Sequence, residues 1–533
     1  MTETLPRPQN IEETQLTMWV DESIWGHRLH DEQTPWLCIL EMLCIAQSEA
    51  RNGQAFVEKE YNSLQYSTYP RLYLRNILFN NPHLEAITSE YLGNTERWNM
   101  WIEAIVNNVG GLTSPDFNYL EARFSSFKDF AQVVKFIQSN SIEGDSNKRW
   151  SSKFVFPYGP DCLYEDLGVK GTNITNDRRF FGRTGELLYL MLCRSGRGEE
   201  ILSHLQKLGI MASEYSSDHK DSKWNKWNKV IVALQPEHDR TVTKSSGKPP
   251  YLPYQKLPEY ERLADDWLNI LHCNLPDYDA LPQIVTITGL HLIIYLLSRA
   301  KAVLGELEPP RFILEIIAPK KTIIRDLASD EYQKNNSLSQ RAIEHYIRGT
   351  IELPEWQICL ESFNPLEEAI ELLQERFAWL AKEEDDLDGA SSPEGLLDKL
   401  REKAVKRHKQ HLAKCHSSWA REIGLSSSRG SRRTRYAPTD TLLRTLVLTC
   451  VPHRMEFQEF LQKLYQKYGF VIGDKQAEDI ISSGNADRED FAANAERLER
   501  RLASIGLLKR LSDACAYVRN PFVVEVNSCK QLN

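Results

Sequence analysis

The stretch 178–209, RRFFGRTGELLYLMLCRSGRGEEILSHLQKLG, is the feature that most constrains the fold. Its spacing predicts a nearly all-apolar helix over 186–193, a Ser-Gly-Arg-Gly break, and a second helix that ends at Gly209. Because a helix that is apolar on every side is normally buried, we expect a large helical core around it. The residues expected in that core are Leu187, Leu188, Leu190, Met191 and Leu192.

Arginines crowd the two ends of the same stretch, and a buried guanidinium group requires a partner. The acidic residues that precede the stretch, Asp161, Glu165 and Asp166, are the expected partners. We interpret the arginines as a structural cluster rather than a catalytic one. Its members are Arg178, Arg179, Arg183, Arg194 and Arg197.

Length and composition bound the class of protein. A chain of 533 residues suffices for about two to four domains, and a formal charge of -9 argues against a surface that binds nucleic acid everywhere. Ten cysteines without a C-x-x-C pair favour reduced thiols in the cytoplasm over disulfides or a zinc ribbon. The N-terminus has no secretory signal pattern. The apolar run 284–297 is shorter than the roughly 20 residues of a membrane span, so we expect a buried helix and no membrane.

Shifts in composition divide the chain, and the fold class they predict is mainly α. The predicted parts are a helical domain over 1–150, a central mainly helical domain with a few strands over 151–382, an acidic linker over 383–398, a basic helix and arm over 399–435, and a last domain over 436–533. Five tryptophans at helical spacing near the N-terminus favour core packing over base stacking. These are Trp19, Trp25, Trp36, Trp98 and Trp101.

Two segments carry cations in patterns that suit nucleic acid. In the first, Lys223, Trp224, Lys226 and Trp227 alternate charge and aromatic rings, which fits phosphates and stacked bases. The alternative is that the tryptophans anchor a short helix before a strand over 230–234. In the second, 399–435, twelve cations face two glutamates, and the residues expected to contact phosphate are Lys406, Arg407, Arg429, Arg432, Arg433 and Arg435. The alternative there is a solvated charged face.

The last domain has a readable element order. Helices are predicted over 438–451, 455–468, 475–483 and 487–505, then Gly506 and two short strands over 507–511 and 514–519. This order resembles winged helix-turn-helix domains, so we expect a C-terminal winged-helix-like α+β module. The resemblance implies DNA contacts by Arg497, Arg500 and Arg501 of the long helix and by Lys509, Arg510 and Arg519 of the wing. Acidic residues on the same helix favour the alternative, a protein-binding module.

Few residues suggest catalysis or metal binding. No glycine-rich nucleotide motif is present, and we expect no cofactor. His408, His411 and Cys415 would share a helix face and are ligands that zinc accepts, although the neighbouring lysines oppose a dication. Glu315 after an apolar strand, with Asp277 or Asp279 upstream, is the only hint of a nuclease metal site, and Ile317 replaces the lysine that such a site wants.

The patterns WVDESIWGHRLHDEQTPW near the start and GLLKRLSDACAYVRNPF near the end resemble uncharacterised accessory proteins of bacterial anti-phage defence islands. The resemblance implies an accessory subunit of a multi-protein, restriction-like system.

Taken with the cationic segments, these features indicate a non-enzymatic subunit that engages DNA and binds other protein subunits. The DNA is expected to be double-stranded. Two alternatives stay open. One is a protein-interaction scaffold whose winged helix binds partner proteins, and the other is a metal-dependent nuclease.

Overall fold

The computed structural model confirms a mainly α-helical protein with short strands in small sheets. Contacts divide the chain into two compact units, one formed by 36–250 and one by 1–35 with 251–533. Residues 1–35, which composition places with 36–150, therefore group with the C-terminal half. The described residues are 4–5, 19–27, 29–50, 53–58, 67–68, 71–79, 81, 83–139, 167–170, 173–176, 182–211, 223–236, 243–244, 256–276, 279–377, 390–429, 433–512 and 515–523.

The unit formed by 36–250 holds nine helices among its described residues. They are α2 (Pro35–Ala50), α3 (Leu72–Phe79), α4 (Leu84–Ser89), α5 (Asn94–Val106), α6 (Tyr119–Arg123), α7 (Phe127–Ser139), α8 (Thr184–Cys193), α9 (Gly198–Lys207) and α10 (Lys223–Ala233). Two antiparallel pairs accompany them: β1 (Ser67–Thr68) with β4 (Thr243–Lys244), and β2 (Leu167–Lys170) with β3 (Asn173–Asn176).

Helix α8 is the predicted apolar helix, and every residue of it is buried, which confirms the expected core. Its close approach to α2 depends on Gly185, where a Cβ atom would lie 2.7 Å from the Cys38 carbonyl oxygen. Buried Arg183 donates from Nε to Glu186 at 2.7 Å and from its backbone N–H to Glu41 at 3.2 Å.

The other members of the arginine cluster differ in their surroundings. Arg194 is buried, whereas Arg197 is exposed. Arg178, Arg179 and the expected acidic partners at 161, 165 and 166 lie outside the described residues.

A second core of the same unit is aromatic. Trp98 and Trp101 are fully buried and pack against Phe130, with ring centroids 5.1 and 4.8 Å away. Ile231 of α10 and Leu234, the residue that follows this helix, join this core. The strand predicted over 230–234 is therefore wrong, because a spacing of three residues turns both side chains to one side of a helix.

The unit formed by 1–35 and 251–533 contains the remaining helices. They are α1 (Trp19–Trp25), α11 (Pro258–Leu271), α12 (Ala280–Val303), α13 (Ile323–Arg348), α14 (Pro354–Glu361), α15 (Pro365–Phe377), α16 (Pro393–His411), α17 (Cys415–Glu422), α18 (Asp440–Cys450), α19 (Phe457–Tyr468), α20 (Glu478–Ser482) and α21 (Arg488–Ser504). Its strands are β5 (Phe312–Ile313), β6 (Ser426–Ser427), β7 (Arg435–Tyr436), β8 (Arg454–Glu456), β9 (Phe470–Val471), β10 (Leu508–Ser512) and β11 (Cys515–Arg519).

Helix α12 contains the apolar run 284–297 and lies at the centre of this unit. Its length and composition would suit a membrane span, but 94% of its most apolar window is buried inside the protein. Its polar side chains have partners within the core: Thr288 accepts a hydrogen bond from Trp267, and the Tyr295 hydroxyl donates to the Trp25 carbonyl. The expectation of a buried helix is confirmed.

The apolar strand predicted before Glu315 is short in the structure. Only Phe312 and Ile313 form β5, because their parallel partner β9 is itself two residues long. Gly469 makes this pairing possible: it has φ 73°, and a Cβ atom there would lie 2.2 Å from the Pro310 carbonyl oxygen.

The acidic linker predicted over 383–398 is partly helical. Helix α16 begins at Pro393, and the Ser392 hydroxyl caps it by accepting from the Gly395 backbone N–H at 3.2 Å. The rest of that segment up to 389 lies outside the described residues.

Candidate nucleic-acid interface

The C-terminal part of the chain combines four helices with a three-stranded antiparallel sheet. All four predicted helices and both predicted strands are present. Residues at the helix ends fix their bounds: Thr439 caps α18, Asp487 begins α21 with a capping box, and Gly506 follows α21 with φ 76°. Strand β8 between α18 and α19 was not predicted. It pairs with β11, so that the sheet order is β10-β11-β8.

The two sides of this sheet differ in composition. Leu508, Val518 and Met455 pair across the strands and are buried. Alternation along a strand places the intervening residues on the other side. The inner side therefore anchors the sheet to the helices, and the outer side is available for binding.

The outer side is cationic. Lys509 and Glu456 flank Tyr517, and Arg519 pairs with Arg454 in the next row. The Arg454 guanidinium carbon lies 5.7 Å from the centre of the Tyr517 ring. Among the described residues, no carboxylate forms an ion pair with Arg454, Lys509 or Arg519. We call Arg454, Lys509, Tyr517 and Arg519 the basic sheet face.

Arg454 is a residue that sequence reasoning missed. It stands alone among Pro452, His453 and Met455, with no charge run around it. Only the pairing of β8 with β11, more than 60 positions away, brings it beside the predicted cations. Arg510, by contrast, was predicted but forms an ion pair with Glu499 at 3.2 Å.

The arginines predicted on α21 brace the helix rather than extend from it. Arg497 donates from Nε to the Ile316 carbonyl at 3.2 Å, and burial lowers its pKa. Arg501 donates to Asp440 at 2.6 Å and to the Pro438 carbonyl at 2.9 Å. Exposed Arg500 forms an ion pair with Glu496. The outward side of α21 therefore offers little net positive charge.

The basic segment 399–435 divides into exposed and structural cations. Lys406 is exposed on α16, where it lines an open groove of about 520 Å³, and Arg429 is exposed after β6. Arg433 is 73% exposed and 3.6 Å from Asp330. Arg407 forms an ion pair with Asp21 at 3.2 Å. Arg432 lies outside the described residues.

Arg435 lies in the interior, where it forms an ion pair with Glu315, and both side chains are at most 1% exposed. The second carboxylate oxygen of Glu315 accepts from Arg325 Nε at 2.8 Å. Both oxygens of Glu315 are engaged by arginines, whose positive charges oppose a metal cation at the same carboxylate. Asp279 is the residue before α12, and Asp277 lies outside the described residues. The geometry around Glu315 is that of a structural ion-pair network.

The histidines and cysteine considered for zinc do not converge. Helix α16 ends at His411 and α17 begins at Cys415, so the continuous face that the zinc interpretation required is absent. His408 bonds to the Ser339 hydroxyl at 2.9 Å, and burial lowers its pKa to about 4. His411 instead packs against the ring of His30, 5.3 Å away.

The neighbouring His416 has a similar structural environment. It bonds to the Tyr436 hydroxyl at 2.7 Å and to Asn336 at 3.1 Å, and burial lowers its pKa to about 3. Both buried histidines are therefore neutral hydrogen-bonding groups at neutral pH.

The other predicted nucleic-acid segment lies on α10, which contains Lys223, Trp224, Lys226 and Trp227. The side chains of these four residues are outside the described part of the structure, so their contact with nucleic acid stays a prediction.

Comparison with known proteins bears on the same region. No curated protein and no solved structure matches the chain. One family model does match, over residues 391–522, a range that begins just before α16 and ends just after the sheet. The predicted resemblance to defence proteins is confirmed over this range. In that quarter of its length, the chain is similar to the family described as methylation-associated defense system protein MAD7.

Proposed function

We propose that this chain is a DNA-engaging, non-enzymatic component of a multi-protein anti-phage defence system in the cytoplasm. The defence role is inferred from the similarity of residues 391–522 to a methylation-associated defense system protein. DNA is the proposed ligand because the matched range also contains the basic segment and the basic sheet face.

We further propose that residues 438–522 form a winged helix. The order α18, β8, α19, β9, α20, α21, β10, β11 supports this, since a strand follows the first helix and a hairpin follows the last. The hairpin β10-β11 is then the wing, and β8 completes its sheet.

The single observation that carries DNA binding is the basic sheet face. Its three cations have no carboxylate partner among the described residues, so they keep their charge for phosphate groups. Tyr517, which lies between Lys509 and Glu456 and close to the Arg454 guanidinium, adds an aromatic surface that suits a sugar or an unstacked base. Exposed Lys406 and Arg429 are the cations of the basic segment that we assign to further phosphate contacts.

Predicted contacts that already hold a carboxylate or a backbone carbonyl of the protein itself are not part of this proposal. They are Arg407, Arg435, Arg497, Arg500, Arg501 and Arg510. These arginines could bind a phosphate only if those interactions broke. For buried Arg435, the break would remove a positive charge that balances the buried Glu315 carboxylate.

The test is a titration of the full chain with duplex and single-stranded DNA at low and moderate salt. The triple substitution Arg454→Ala, Lys509→Ala, Arg519→Ala removes three phosphate contacts. The negative slope of log K against log salt should therefore become shallower by about 2 to 3. The matched control, Arg488→Ala with Arg500→Ala, removes exposed cations of α21 that face carboxylates. It should leave the slope nearly unchanged.

The second candidate function is a protein-binding scaffold, and α21 is the observation that favours it. Its outward side mixes Glu489 and Glu496 with the small residues Ala492 and Ala493, which suits a protein surface better than a phosphate backbone. This candidate predicts no affinity for either form of DNA at low salt. Equal DNA binding by the triple variant and the wild type would also contradict the assignment of the basic sheet face.

A further inference from the structure

Helices α14 and α15 form a hairpin in the same unit, and its charge is acidic. A 3-10 turn (Gly349–Glu352) leads into them, and we call residues 349–377 the acidic hairpin. Trp356, Cys359, Ala369, Leu373 and Phe377 are buried and fix the two helices to the unit. The hairpin is therefore a rigid surface whose outer residues are not needed for its packing.

Large apolar side chains stand on the outer side of this hairpin. Phe363, in the turn between the helices, is 99% exposed, and Ile358 on α14 is 64% exposed. Ile351 in the preceding turn is also exposed. Scattered exposed apolar residues are common, but three within thirteen positions of one hairpin form a candidate contact surface.

Glutamates surround these apolar residues at helical spacing. Glu355 and Glu361 lie three positions on either side of Ile358, which places all three on one side of α14. Glu367 and Glu371 follow Phe363 along the exposed side of α15. The whole hairpin carries seven glutamates against the single cation Arg376, whose guanidinium lies 5.0 Å from the Tyr346 ring.

The glutamates keep their charge available. Within the part of the chain that the structure describes, Glu355, Glu361, Glu367 and Glu371 form no ion pair with Lys, Arg or His. Anions without a counter-charge around an exposed apolar centre are complementary to a cationic surface with an apolar centre.

We propose that the acidic hairpin docks a basic amphipathic helix of a partner protein. Ile351, Ile358 and Phe363 would contact the apolar side of that helix, and the glutamates would face its lysines and arginines. DNA is excluded as the occupant by charge. The adjoining segment of this chain, 378–389 (AWLAKEEDDLDG), is also excluded as the occupant, because it is acidic and the glutamates of the hairpin would repel it.

The probe is a fluorescein-labelled peptide of lysine and leucine in an amphipathic pattern, roughly 18 residues and about 27 Å of helix. Its binding to the full chain is measured by anisotropy, beside a glutamate and leucine peptide of the same pattern. We expect salt-sensitive binding of the lysine peptide only. The variant Ile358→Ser with Phe363→Ser should weaken it about tenfold, since exposed aromatic and aliphatic anchors dominate such contacts.

Tyr91→Ser, which removes a fully exposed aromatic residue of the other unit, is the matched control and should bind as the wild type does. Glu367→Lys with Glu371→Lys should weaken peptide binding and flatten its salt dependence. Equal binding by the wild type and both hairpin variants would overturn the proposal. A dimer in sedimentation that Phe363→Ser dissolves would overturn it in favour of a second copy as occupant.

Discussion

The basic sheet face and the acidic hairpin are two surfaces of one compact unit with opposite charge. In both, an apolar inner side fixes the element: Leu508 and Val518 hold the sheet, and Trp356 and Leu373 hold the hairpin. Among the described residues, Arg454, Lys509 and Arg519 of the sheet face form no ion pair, and neither do Glu355, Glu361, Glu367 and Glu371 of the hairpin. The formal charge of -9 is a sum over the whole chain, and it does not show that one surface is cationic and another anionic.

The largest expected effect separates a buried, structural cation from an exposed one. Arg435→Ala removes one of the two arginines that face buried Glu315, and we expect a loss of about 3–5 kcal/mol in the free energy of unfolding. Arg433→Ala, two positions away and mostly exposed, should cost less than about 0.5 kcal/mol. Urea denaturation measures both. Similar values for the two variants would mean that Arg435 is not structural.

A second prediction concerns pH and the two buried histidines of the basic segment. His408 and His416 have pKa values of about 4 and about 3 in the folded chain, below the 6.5 of an exposed histidine. The unfolded chain therefore binds more protons between pH 6.5 and 4, so stability falls as the pH drops through that window. Between pH 7 and 5 each histidine should contribute a loss of about 2 kcal/mol.

The control for this pH effect lies on α13. His408→Gln should reduce the pH dependence of the unfolding free energy by about half, whereas His345→Gln, at an exposed position, should leave it unchanged. An unchanged slope in His408→Gln would contradict the assignment of a buried neutral imidazole.

Charge reversal on each surface tests whether the two act independently. Lys509→Glu with Arg519→Glu should weaken duplex binding about 10- to 100-fold at low salt, because two phosphate contacts become repulsions. Glu367→Lys with Glu371→Lys should change duplex affinity less than about twofold. Filter binding of both variants measures this. A large effect of the hairpin variant would show that the surfaces are coupled.

The smallest effect is that of Arg454 alone. Arg454→Ala removes one phosphate contact and its contact with the Tyr517 ring, and should weaken duplex binding about threefold to tenfold. Arg454→Lys keeps the positive charge and should therefore keep most of the duplex affinity that Arg454→Ala loses. A neutral result for Arg454→Ala would remove β8 from the interface.

The sequence predicted the elements better than it predicted the roles of side chains. Helix α21 and strands β10 and β11 could be located because their signals are local: a capping aspartate, apolar spacing and Gly506. Whether each arginine is paired or exposed could not be predicted, because its partner is distant in sequence. Arg435 meets Glu315, 120 positions away, and Arg407 meets Asp21. A run of cations looks the same whether its members are exposed or paired.

Strand β8 illustrates the same limit. Three residues before a helix carry no strand pattern of their own, and only pairing with β11 defines them. The acidic hairpin shows this limit again, because the exposure of Phe363 depends on how α14 and α15 pack.

Crosslinking tests the central claim most directly. A photoreactive phenylalanine analogue in place of Tyr517, or in place of Ala493 on the outward side of α21, is irradiated with labelled duplex DNA bound to the full chain. The basic sheet face predicts a salt-sensitive crosslink from position 517 and little from position 493. A crosslink from position 493 alone, or from neither position under conditions where DNA binds, would contradict the account.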